Sequence, residues 1–124
     1  MDVPALAKPD GATIIMVMAK RPRFTLLYAD AVKKHLQTID KKYHKLIRSA
    51  IETQLSFEPE TETRNRKPLR RPIVTGAQWE LRLGPGNRFR VFYEVGREVR
   101  EANILAVGVK EKNRLLIGGK EVEE

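Results

Sequence analysis

The run from Trp79 to Val95, WELRLGPGNRFRVFYEV, constrains the fold more than any other stretch of the chain. It reads as two alternating strands joined by a Gly-Pro-Gly-Asn turn. Successive side chains of a strand point to opposite faces. Trp79, Leu81 and Leu83 therefore share one face of the first strand, and Phe89, Val91, Tyr93 and Val95 share one face of the second. The other face gathers Arg82, Arg88 and Arg90 beside Glu80 and Phe92. The expectation is a half-buried antiparallel sheet whose open face is cationic. Parity sends Trp79 and Tyr93 to the core and leaves Phe92 as the aromatic placed to stack on a base.

Charge gives that face a wider setting. The formal net charge is +8 over 124 residues, which favours a polyanionic partner such as nucleic acid or an acidic protein. A basic surface kept for solubility explains the total equally well, so its distribution decides. From residue 64 to residue 90 there are eight basic residues (Arg64, Arg66, Lys67, Arg70, Arg71, Arg82, Arg88, Arg90) and one acid, Glu80. Glu58, Glu60 and Glu62 precede this stretch, and Glu121, Glu123 and Glu124 close the chain. Segregated charge of this kind suits a binding surface. Arginine dominates it, and the planar guanidinium fork matches phosphate geometry better than an ammonium does.

The chain has no cysteine, which excludes disulfides, thiolate metal sites and cysteine nucleophiles. His35 and His44 stand nine positions apart and do not converge on a metal, so no metal site and no catalytic histidine are expected. No apolar run approaches bilayer-spanning length, and Thr13–Met18 (TIIMVM) is too short for a signal-peptide core. A cytoplasmic protein without a membrane partner is the expectation.

Residues 1–22 read as an N-terminal extension in which Pro4, Pro9, Asp10 and Gly11 disfavour regular structure. It is either a flexible segment, with Thr13–Met18 as an added edge strand, or the result of a start codon placed too early, with Met16 or Met18 as the alternative. One α+β domain is expected over 23–117, followed by an acidic tail at 118–124 with a Gly118-Gly119 turn. A strand at Phe24–Tyr28 opens the domain. Val32, Leu36, Ile39, Tyr43, Leu46, Ile47, Ala50, Ile51 and Leu55 then recur at steps of three and four, the mark of a helical pair over about 31–56 with Asp30 and Asp40 as caps. A polar connection at 58–74 leads to the hairpin, and a further strand at Val99–Val107 is stopped by Gly108. The order is β-α-α-β-β-β, with the helices packed on one face of an antiparallel sheet.

This order and four motifs resemble the RelE/ParE toxin superfamily of bacterial and archaeal toxin–antitoxin modules, over about residues 23–115. The motifs are Leu69-Arg70-Arg71 before the second strand, the W-x-L-R-x-G strand from Trp79, the strand Arg90-Val91-Phe92-Tyr93-Glu94-Val95, and the ending Ala106-Val107-Gly108-Val109-Lys110. For RelE-like members the resemblance implies metal- and cofactor-independent cleavage of mRNA on the ribosome. The RNA 2′-hydroxyl attacks the adjacent phosphate while the protein aligns the backbone, moves two protons and stabilises the transition state. It also implies neutralisation by a cognate antitoxin, whose acidic character would suit the basic toxin.

Carried over by position, Arg90 would hold the scissile phosphate, with Arg82 and Lys110 as further catalytic cations. Arg64, Arg66, Lys67, Arg70, Arg71, Arg88, Phe92, Lys112 and Arg114 would form the surrounding RNA contacts. Two departures stand out. The region Lys112-Asn113-Arg114-Leu115-Leu116 has no tyrosine or histidine where RelE-like toxins usually carry one, and Glu80 stands where they carry a basic residue. Glu80 reads either as a general base for the 2′-hydroxyl or as an ion-pair partner that orders the arginines. The same departures fit the ParE branch, which inhibits DNA gyrase without cleaving RNA, and a non-catalytic module with a toxin fold.

Overall fold

The computed structural model describes residues 22–124. Apart from Pro22, the expected N-terminal extension with its Thr13–Met18 segment lies outside the described residues. The chain forms β1 (Thr25–Tyr28) and turns at Ala29 into α1 (Asp30–Gln37). Asp30 is not the cap expected of it: Ala29 occupies that position with extended backbone and no side-chain hydrogen bond. The acid stands one residue inside, in the first turn, where the helix dipole favours it. Asp40 does cap. Its Oδ1 accepts from the Lys42 N–H at 3.0 Å and starts a 3-10 turn, Lys41–Tyr43, that runs into α2 (His44–Leu55).

Among the described residues the sheet has seven strands. β2 (Arg66–Pro68), β3 (Trp79–Leu83), β4 (Phe89–Gly96), β5 (Glu101–Glu111), β6 (Arg114–Ile117) and β7 (Lys120–Val122) follow one another as antiparallel neighbours. β1 joins in parallel, Thr25–Tyr28 against Glu101–Ile104, while β6 takes the same edge of β5 further along, at Gly108–Glu111. In the gap between those two partners, the Val107 N–H donates to His35 Nδ1 of α1 at 3.3 Å. The expected β-α-α-β-β-β order is thus present with three short strands added. β2 comes from the basic connection, and β6 and β7 come from the C-terminal segment, so the acidic end is paired into the sheet.

Gly108 does not end its strand. It lies inside β5, buried, opposite both Arg90 and Ile117. A Cβ there would stand 2.9 Å from the Leu116 carbonyl oxygen, so glycine serves the close approach of β6. The turns that follow, Lys112-Asn113 and Gly118-Gly119, have positive φ throughout, the backbone that two-residue hairpins require.

The main core lies between the helices and one face of the sheet. Val32, Ile39, Ile47, Ile51 and Leu55 meet Leu81, Leu83, Phe89, Val91, Tyr93, Ile104 and Val107 there. The face expected to be open is partly covered. Phe92, Ala106, Ala77, Leu115 and Ile117 form a second cluster on it, roofed by Leu69, Ile73 and Val74 of the β2–β3 connection. A bulge makes this possible. Phe92 pairs with Ala106 but Tyr93 with Ile104, so Leu105 is an extra residue that resets the parity of β5. Among the described residues no helix is long and apolar enough to cross a membrane.

Candidate functional site

Arg82 and Arg90 are cross-strand partners on β3 and β4, and Glu80 lies two residues before Arg82 on the same face. The carboxylate is shared between them. Arg82 Nε donates to Glu80 Oε1 at 3.1 Å, and Arg90 Nη1 donates to Oε2, also at 3.1 Å. Arg90 Nε donates in addition to the Asn87 carbonyl at 2.9 Å. Side-chain exposure falls from 38% at Arg82 to 12% at Arg90 and 8% at Glu80, so the acid is the deepest of the three. Gly108, opposite Arg90 on β5, adds no side chain to crowd the guanidinium.

This arrangement is preorganised for an anion. Two guanidiniums on neighbouring strands would repel, and the carboxylate between them offsets that repulsion in a weakly solvated setting. One negative charge against two positive leaves the cluster cationic. Among the described residues, the Arg90 Nη2 group and both terminal amines of Arg82 make no hydrogen bond within the protein, so they remain free to donate to another acceptor. Glu80 spends both oxygens on guanidinium N–H groups. Of its two sequence readings, the geometry favours the ion-pair partner that orders the arginines.

Two of the expected RNA contacts, Phe92 and Arg66, are buried, and a third, Arg88, stays 41% exposed but pairs with Glu111 at 3.4 Å. Phe92 is fully buried in the second cluster, because the β2–β3 connection packs over it, and no base can reach its ring. Arg66 is buried as well: Nε donates to the Thr61 carbonyl at 3.0 Å, Nη1 donates to the Gln54 carbonyl, and Nη2 faces Glu58 at 3.8 Å. It ties the end of α2 to the connection. Arg88 has left the arginine face. Its backbone is helical at the end of the hairpin turn, and its guanidinium lies over the rings of Tyr43 and Phe89 at 5.7 and 5.6 Å.

The remaining cations lie on the rim. Lys67 on β2 pairs with Glu62 at 3.6 Å. Arg64, Arg70 and Lys112 are exposed, with no side-chain hydrogen bond or ion pair among the described residues. Lys110 pairs with Glu124, Arg71 donates to the Glu124 main-chain oxygen, and Arg114 faces Glu121 at 3.6 Å. Lys110, Arg71 and Arg114 thus come together around the C-terminal residues, beside the Arg82–Arg90 pair and not within it.

Two contributors had no signal in the sequence. Asn87 acts through its carbonyl, which any residue at that turn position would offer. Glu124 acts through pairing with residues 14 and 53 positions away. The frame beneath the site is held by Tyr93, whose hydroxyl donates to the Pro59 carbonyl at 2.6 Å. Burial pushes the Tyr93 pKa well above the usual phenol range, which keeps that hydroxyl a donor.

No family model matches this chain, and no curated protein matches it in sequence. Among solved structures it is similar to a chain of the toxin–antitoxin complex RelBE2 from Mycobacterium tuberculosis. The TM-score is 0.59 and the identity 24%, over 73% of this chain and 94% of that one. At that identity the likeness is one of fold: the small α+β architecture found here, helices on one face of the sheet, is the architecture of a component of that complex.

Proposed function

We propose that this protein is the toxin of a type II toxin–antitoxin module and acts on RNA. Its arginine face would bind the backbone of mRNA on the ribosome and promote cleavage by the RNA's own 2′-hydroxyl. The observation that carries the reading is the Arg82–Glu80–Arg90 cluster, a preorganised cationic pair with unused N–H donors on a fold shared with a component of a toxin–antitoxin complex. Arg90, held by Glu80 and the Asn87 carbonyl, would contact the non-bridging oxygens of the scissile phosphate. Arg82 would take the developing charge from the adjacent strand. Lys110 would become available once it is released from Glu124. An acidic antitoxin segment would compete for the same cations, which accounts for neutralisation.

Induced expression should stop growth, with truncated mRNAs mapped by primer extension, and Arg90→Ala should abolish both effects. Equal toxicity of the variant would remove the site assignment.

A second reading has its own support. Glu80 commits both oxygens to arginines, and the C-terminal region offers no tyrosine or histidine to move a proton. That pattern favours a toxin-fold protein that binds without cleaving, whether a DNA gyrase inhibitor or a non-catalytic module. Loss of supercoiling before loss of translation after induction would favour the gyrase reading. High expression without any growth effect would favour the module.

A further inference from the structure

The arrangement at Glu80 recurs at the outer end of the same face. β7 pairs with β6 so that Val122 opposes Leu115, which places Val122 and, two residues on, Glu124 on the arginine side of the sheet. There Glu124 lies between two cations brought from distant parts of the chain. Its carboxylate pairs with Lys110 of β5, and its main-chain oxygen accepts from Arg71 of the β2–β3 connection. Lys110 is one of the catalytic cations expected from the sequence, and Arg71 is one of the expected RNA contacts.

The two carboxylates differ in how firmly they are held. Glu80 is nearly buried on the five-residue strand β3, which has partners on both sides. Glu124 is 38% exposed and follows β7, a three-residue edge strand entered through two glycines of positive φ. Val122 is the one β7 residue packed against the second cluster. Ion pairs with this much solvent contribute little, because water screens the charges and ordering the side chains costs entropy. A phosphate can therefore displace Glu124 at small cost, whereas Glu80 stays in place.

We propose that Glu124 is a built-in competitor for phosphate. It occupies a second anion subsite formed by Lys110 and Arg71, and it leaves when an RNA backbone binds across the face. This rests on the RNA-binding reading above. The covered subsite would weaken binding to any short or weakly held polyanion, and a ligand long enough to reach the Arg82–Arg90 pair and this subsite together would open it.

Binding of a labelled short single-stranded RNA to the full chain tests this, with Glu124→Gln as the variant and Glu98→Gln, an exposed acid in the turn before β5, as a control that removes one charge equally. Glu124→Gln should tighten binding by about three- to tenfold at low salt, and the gain should vanish in a Lys110→Ala background. Residue 124 follows an exposed edge strand, so the substitution does not threaten the fold. Equal affinity of parent and Glu124→Gln overturns the competitor role and leaves the RNA reading standing. An equal gain in the control shows a general charge effect and also overturns it. If neither protein binds RNA, the RNA reading falls and the competitor role falls with it; binding by Glu124→Gln alone supports both.

Discussion

Arg90 donates to Glu80 across two strands at 3.1 Å, and both side chains are nearly out of solvent. A guanidinium this buried needs its anion. Removing one partner of a buried pair leaves an uncompensated charge, so Glu80→Ala should destabilise the fold by about 2–4 kcal/mol, measured by chemical denaturation. Glu80→Gln retains a hydrogen-bonding oxygen and should cost less. The substitution also separates the two roles open to Glu80 under the proposed RNA reading. A positioning residue should lose RNA affinity and cleavage together when changed to Gln, whereas a general base should lose cleavage with affinity kept.

Arg66 and its neighbours in the basic connection should behave in opposite ways. Arg66 satisfies the Thr61 and Gln54 carbonyls while buried, so Arg66→Ala should lower stability by about 2–3 kcal/mol and leave the salt dependence of RNA binding unchanged. Arg64→Ala and Arg70→Ala should leave stability unchanged and each reduce the slope of log affinity against log salt by about one unit. A salt-slope change in Arg66→Ala with stability intact would contradict the structural role.

The hairpin turn tests steric detail. Gly84 has φ +84°, and a Cβ there would stand 2.6 Å from Cδ2 of Phe89, which is itself fully packed. Gly86 has φ +62°, and none of the described residues comes within 4 Å of its Cβ position. Gly86→Ala should therefore cost only backbone strain, about 1 kcal/mol. Gly84→Ala adds a clash that Phe89 cannot relieve and should cost about 2–4 kcal/mol. Thermal melts of the two variants give the comparison, and equal losses would contradict the packing of Phe89.

His35 links pH to stability. Its Nδ1 accepts from the Val107 N–H, which requires that nitrogen to be unprotonated, and burial lowers its pKa below the ordinary 6.5. The unfolded chain then binds the proton more readily than the folded one. The contribution is fully present above about pH 6.5 and is lost as pH falls through the lower, folded value. His35→Gln keeps an acceptor for Val107 and removes the titration. Between about pH 7 and pH 5 it should lose less melting temperature than the parent.

The local elements were legible because they rest on local physics. Periodicity places the helical pair and names the residues of the main core, and alternation from Trp79 to Val95 gives the central hairpin with Glu80, Arg82 and Arg90 on one face. Three features did not yield to that approach. The bulge at Leu105 resets the parity of β5, and no composition marks it. Gly108 reads locally as a terminator, yet its role is set by β6 passing close by. Phe92 obeys parity, but parity says which face a side chain takes and nothing about what later covers that face.

By itself, then, the sequence determined the α+β class, the helical core and the identity of the arginine pair, since each follows from spacing within a few residues. Only the tertiary structure decided which basic residues are available to a ligand. Burial and ion pairing are set by segments far apart in the chain. The β2–β3 connection roofs Phe92, the end of α2 takes Arg66 into the interior, and the acidic C-terminal residues fold back onto Lys110 and Arg71. Charge density in a sequence counts cations. Long-range packing determines how many of them remain free to meet a phosphate.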